Sequence, residues 1–148
     1  RIATDVSAYQ GSRELGSSFQ IVTTAVPGIG LGTLEDAIHE EVARVRASDV
    51  SPDELARTLA LTETAFVSRL QTVGGFGGKS DQLNSYNVLR GDPGYFSADL
   101  ARYRDATADT VREATRRFFP FDRRVTLCVV PRGQRALALP GSEPVVVS

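Results

Sequence analysis

The sequence contains no methionine and no tryptophan, and only one histidine and one cysteine among its 148 residues. Each shortage removes a class of chemistry. A lone Cys128 excludes an internal disulfide and any CxxC metal site. A lone His39 excludes the two-histidine helical zinc motifs, which need both imidazoles on one helical face. Charge of one sign is also missing, since 17 Lys and Arg stand against 18 Asp and Glu for a net −1. That balance gives no electrostatic ground for a nucleic-acid or anionic-lipid partner. No apolar run approaches the ~18 residues that a membrane helix needs. No signal peptide is visible, and the start at Arg1 without Met leads us to expect that the natural N-terminus lies upstream. The compartment therefore stays open.

What is present suits one domain with a real core, at 41% hydrophobic residues. Ile2, Thr4, Val6 and Ala8 alternate over Ile2–Gln10, and Phe19, Ile21 and Thr23 share a face of the run 17–25. Two such runs around the polar, Gly-flanked connection 11–16 predict an antiparallel hairpin. Pro27–Gly32 ends it. From Thr33, an expected N-cap with Asp36 at N3, Leu34, Ile38, Val42 and Val45 recur at helical spacing. Ser51-Pro52-Asp53-Glu54 is a capping-box start. Leu55, Leu59, Thr62, Phe66, Leu70 and Val73 continue it as a stripe of about five turns.

Beyond a glycine-rich break, a helix is expected near 80–89 with Leu83, Tyr86 and Leu89 inward. A turn at Gly91–Gly94 follows, then a short helix at 95–104. Thr107 should cap a last helix with Val111, Ala114 and Phe118 facing the core. Arg124–Val130 reads as a near-continuous apolar strand in a central sheet position, ending at Pro131. Cys128 within it is expected to be a buried structural thiol. The tail 132–148 is expected to be extended or disordered. The order strand-strand-helices-strand defines an α+β class. Three strands are few to cover so many helices, which predicts further sheet or helix outside this region.

The motif that most invites a functional reading is Gly74-Gly75-Phe76-Gly77-Gly78-Lys79-Ser80. It ends like a phosphate-binding P-loop, but the glycine required five residues before Gly78 is Val73. It also follows a helix, where a P-loop follows a buried strand. Gly74, Gly75, Phe76, Gly77, Gly78 and Lys79 are instead either a wide break between helices or a candidate contact loop for substrate or a partner domain. His39 has Ala43 four residues on and no second imidazole, so it is expected to be a surface or boundary residue at the edge of the helix's apolar stripe. No Gly-x-Ser-x-Gly supports a serine triad. Glu40/Glu41 and Asp53/Glu54 fit a solvated face and helix N-terminal charge. Arg116, Arg117, Arg123 and Arg124, interleaved with Asp109, Glu113 and Asp122, fit a solvated helix end. No catalytic, cofactor-binding or metal-ligating residue is assigned in this chain.

Several phrases taken in order carry a family resemblance. They are Ile2–Tyr9 (IATDVSAY), Ser51–Leu55 (SPDEL), Val73–Asn84 (VGGFGGKSDQLN), Gly91-Asp92-Pro93, Asp99–Tyr103 (DLARY) and Val129-Val130-Pro131. Together they resemble the closing part of the C-terminal domain of bacterial zinc peptidases of the insulinase/pitrilysin (M16) family, which includes mitochondrial processing peptidase. The resemblance runs from residue 2 to about 131. It implies helices packed on one face of a mainly antiparallel sheet, and a chamber wall that helps to enclose peptide substrate. It implies Zn in the parent protein but none in this region, the zinc motif His-x-x-Glu-His belonging to the N-terminal domain. The implied partners are that zinc-bearing domain, or a partner subunit, and peptide substrate. An alternative is a non-catalytic M16-like scaffold subunit that partners an active one. Thr4 stands where the family places a substrate-holding Tyr, a departure from the pattern. If the parent is bacterial, the resemblance implies a periplasmic or membrane-associated location.

Overall fold

A computed structural model of the chain describes residues 1–145. Two strands come first, β1 (Ala3–Ser12) and β2 (Ser17–Ala25), paired antiparallel. The register sets Val6 opposite Thr23, Ala8 opposite Ile21 and Gln10 opposite Phe19, with an irregularity between Ala3 and Asp5. The expected alternation is therefore real, and residues 13–16, with Leu15 fully exposed, close the hairpin.

Five helices follow: α1 (Leu31–Ala47), α2 (Pro52–Arg69), α3 (Lys79–Arg90), α4 (Phe96–Arg104) and α5 (Ala108–Phe118). The chain is a small α+β domain of five helices and a two-stranded antiparallel sheet among the described residues. α2 starts as its sequence dictates. The Ser51 side chain accepts from the Glu54 amide at 3.2 Å, and the Glu54 carboxylate accepts from the Ser51 amide at 3.1 Å. Thr107 and Thr110 exchange the same pair of bonds at the start of α5.

α1 corrects one expectation. It begins at Leu31 with Gly30 in the cap position, and Thr33 lies inside the first turn, its amide donating to the Gly30 carbonyl at 3.2 Å. The turn at Gly28, with φ of 86°, points the chain into the helix before Thr33 is reached. α5 corrects another. Ala114 and Phe118 are exposed, and the half-buried residues are Ala108, Val111, Arg112 and Thr115. Arg112 and Arg116 explain that rotation: Arg112 pairs with Asp49, and Arg116 Nε donates to the Arg46 carbonyl at 2.7 Å. In α3, Leu83 and Leu89 are exposed, and Tyr86 turns inward beside Gln82 because its hydroxyl has a partner across the turn.

The largest correction concerns the third strand. Residues 124–130 form no regular element, and their backbone makes no hydrogen bond to the backbone of any described residue. Val125, Leu127 and Val129 are 98%, 75% and 81% exposed. The β-forming composition is present, but a strand exists only where a second strand accepts its ladder, and none lies alongside. Cys128, expected to be buried, is consequently only half-buried, with the Ser142 hydroxyl 3.7 Å from its sulfur. Past Pro131 the chain makes a 3-10 turn at Arg135–Leu137, and Arg135 donates to the Ser142 carbonyl at 3.2 Å. The last three residues of the expected extended tail lie outside the described residues.

The core is correspondingly thin. Leu34, Phe66 and Leu100 are the buried hydrophobic residues among those described. The accessible surface is 11247 Å² for a 15.9 kDa chain. A closed monomer of that mass exposes about 7,400 Å². The surplus is large, and exposed large hydrophobic side chains are spread along the chain, from Val6 and Phe19 on the hairpin through Leu61 and Val67 in α2 to Val125 and Leu127.

Candidate functional site

The glycine-rich loop joins α2 to α3, and its two necks are pinned together. The Lys79 amide donates to the Thr72 carbonyl at 2.7 Å and the Ser80 amide to the Val73 carbonyl at 3.1 Å. The Ser80 hydroxyl adds a second bond to that carbonyl at 3.0 Å. Gly75 and Gly77 both take positive φ, 81° and 78°, on either side of Phe76. Side chains other than glycine resist that conformation, so the repeated glycines are required by the reversal of the chain. Gly78 is buried for a different reason. A Cβ there would stand 2.6 Å from the Gly74 carbonyl oxygen and 2.9 Å from that of Thr72. The four glycines thus build one tight loop, and the side chain it offers at its tip, Phe76, is fully exposed.

This geometry decides against phosphate binding. The first amides of α3 would have to point into an open cradle. Those of Lys79 and Ser80 are already donated to the loop's own carbonyls, and the Gly77 amide is donated to Asp81 Oδ2 at 2.9 Å. A carboxylate therefore occupies the place where an anion would sit. Gly75, Phe76, Ser80, Asp81 and Asn84 line a shallow, open depression there.

Beside it lies a polar chain that motif reading missed. Gln82 Nε2 donates to the Tyr86 hydroxyl at 3.1 Å, and that hydroxyl donates to Asp99 Oδ2 at 2.9 Å. Arg102 closes the other oxygen of Asp99 at 3.1 Å. Burial, and then the bond to Asp99, raise the Tyr86 phenol above its usual value. The Gln82–Tyr86 step has the i,i+4 spacing of a helix face. The step to Asp99 crosses the turn at residues 91–94, and nothing in the sequence marks it. At the start of α2, the bonds from the Ser51 backbone and side chain hold the Glu54 carboxyl below its usual range.

The remaining candidates are dispersed. His39, half-buried in the middle of α1, packs edge-on against Phe121, with centroids 5.4 Å apart. Glu41 pairs with Arg44 at 2.7 Å, and Asp53 lies in the first turn of α2. Arg116 pairs with Glu113 at 2.9 Å, and Arg124 pairs with Glu35 at 2.9 Å. The resemblance brings zinc into question, so the donors must be weighed against it. A tetrahedral site needs converging imidazole, thiolate or carboxylate groups. No group of three such side chains converges among the described residues, and the one imidazole packs edge-on against a phenyl ring. The residues present do not fit a zinc site. No helix among the described residues is long and apolar enough to cross a membrane.

No protein-family model matches the chain, and no curated protein or solved structure shows significant similarity to it.

Proposed function

We propose that this chain is the closing part of the C-terminal domain of a zinc metallopeptidase of the insulinase/pitrilysin type. Its role is to wall the substrate chamber and pack against a zinc-bearing domain. The observation that supports this reading most is the open surface: 11247 Å² is about half as much again as a closed domain of this mass exposes. The ordered phrases from Ile2 to Pro131 supply the family, and the pinned loop around Phe76 supplies a contact element suited to a substrate or a partner domain. Chemistry at the scissile bond would belong entirely to the zinc-bearing domain, because the donors here do not converge.

The test compares the isolated chain with the full-length protein. The isolated chain should hold no stoichiometric zinc and cleave no peptide, and the full-length protein should do both. Tight one-to-one zinc on the isolated chain would sink the reading. Within the full-length protein, Phe76→Ser should lower peptide turnover without changing zinc content. Unchanged turnover would remove the loop from the proposal.

A further inference from the structure

Among α2, α3 and α4, only α3 buries no side chain. α2 and α4 meet without it, Phe66 of the one against Phe96 and Tyr103 of the other. We propose that residues 74–91, the glycine-rich loop and α3 together, form a strap that unfastens and melts as one unit while α2 and α4 stay packed. Its latch is the hydrogen bond from Tyr86 to Asp99.

α3 has 12 residues, and isolated helices shorter than about 12–15 residues are marginal in water. Asn84, Ser85, Asn87 and Val88 in its middle are weak helix formers. The helix therefore depends on what fastens it. At the loop neck, the Ser80 hydroxyl bond to the Val73 carbonyl is exposed, and so is the 3.4 Å bond from Arg90 to the Tyr95 hydroxyl at the far end. Exposed bonds exchange for bonds to water and hold little. Between them, the part-buried Tyr86 hydroxyl donates at 2.9 Å to the Asp99 carboxylate, which Arg102 holds from its other oxygen. A charge-assisted bond withdrawn from water is the strong member of the set.

Two features work against closure. Gln82 Oε1 is buried and accepts from no donor among the described residues, so fastening the strap takes an acceptor out of water without replacing its bond. The strap also runs from glycine to glycine. Gly75 and Gly77 near its start and Gly91 at its end take positive φ, the last at 71°, and glycine regains the most backbone freedom on release. Order and disorder of one segment on a standing frame is a recurrent form of switch. Release here frees Phe76 from its fixed place and uncovers Arg69 and Asp99, which line the pocket beneath α3 with Gln82, Ser85 and Tyr86.

The inference does not rest on the peptidase reading. It is tested by native-state hydrogen exchange of the chain in rising urea below its unfolding transition. The amides of Leu83–Arg90 should exchange through an opening of shallow urea dependence, because a helix that buries no side chain exposes little surface on release. Amides of α2 and α4 around Phe66 and Leu100 should follow the steep dependence of global unfolding. Tyr86→Phe keeps the ring and removes the latch, and should speed exchange at 83–90 roughly tenfold to a hundredfold. Chymotryptic cleavage after Phe76 should rise with it, since both read the same open population. Phe66→Leu weakens a contact that persists in the open state, so it should speed exchange in α2 and α4 and leave the opening of 83–90 unchanged. Amides at 83–90 that share the urea slope of α2 and α4, or that show no protection at all, overturn the proposal. So does a Phe66→Leu chain in which both sets quicken equally. Unchanged exchange at 83–90 in Tyr86→Phe overturns the assignment of the latch.

Discussion

The half made of α2 to α4 closes around Phe66 and Leu100, though α3 buries no side chain, whereas the half made of the hairpin, α1, α5 and residues 119–130 buries Leu34 alone. In the first, Phe66 is buried at 5% exposure, with the Phe96 ring at 5.7 Å and the Tyr103 ring at 5.1 Å. Arg69 lies over its face, and Arg104 pairs with Glu63 across the same packing. In the second, Leu34 is the one buried side chain. Much of the rest is held by arginines reaching backbone, as where Arg46 donates to the Phe119 carbonyl at 2.6 Å. Val6, Tyr9, Phe19 and Val22 are exposed on the two faces of the hairpin. The cause is where each element keeps its hydrogen bonds. A helix satisfies its backbone internally and needs only one apolar face covered, so two helices can bury a ring between them, as α2 and α4 do with Phe66. A strand satisfies half its backbone on each neighbour, and two strands leave both outer edges open.

The comparison can be broken most directly at Phe66. Phe66→Ala should cost about 3–5 kcal/mol in urea denaturation, through lost transfer energy and the cavity left among three packed rings. Leu127→Ser, in the open half, should stay within about 0.5 kcal/mol. Equal losses at the two positions would mean that the halves do not differ in closure.

The closed half was also the more legible one in the sequence. The capping box at Ser51 and Glu54 and the stripe through Leu59 and Phe66 are local signals, and local chemistry decides them. The hairpin was legible for the same reason, since its strands lie four residues apart. The third strand was misread because Val125–Val130 reports only a preference for pairing, and pairing depends on a second segment being in place. The Gly74–Gly78 loop was legible as a break but not as a pinned structure. Its bonds from Lys79 and Ser80 back to Thr72 and Val73 depend on how α3 enters. Tyr86 was rightly turned inward in sequence reading, yet its partner Asp99 was not foreseen. That contact spans a turn and carries no periodicity.

A smaller effect sharpens the comparison at the edge of the closed half. Gly78→Ala places a methyl against two backbone oxygens that cannot rotate away. The expected cost is about 1–3 kcal/mol, as for overpacking in a core. It should be accompanied by faster chymotryptic cleavage after Phe76, because the neck bonds from Lys79 and Ser80 must open. Gly74→Ala meets nothing within 4 Å at a backbone angle that is not positive, so it serves as the control with cleavage unchanged. Equal cleavage of the two variants would show that the loop is not pinned as described.

The smallest effect is a pH dependence confined to the closed half. The Tyr86 phenol is raised by burial first and by its bond to Asp99 second, while the Gln82 amide works in the opposite direction. A raised folded value means that above the ordinary phenol value, about 10, the unfolded chain gives up this proton more readily than the folded one. Its contribution is therefore complete below that pH and is lost as pH rises through the folded value. In Tyr86→Phe the ring packing against Tyr95 remains and the titration is gone. The variant should accordingly lose less of its stability than the wild-type chain between about pH 9 and 11, read as the urea midpoint. Parallel midpoints over that range would place the alkaline sensitivity elsewhere in the chain. Asp99→Asn separates the two causes, since it removes the charged acceptor but leaves the burial. A slope that survives Asp99→Asn and vanishes in Tyr86→Phe would assign the shift to desolvation, the mark of a half that has closed.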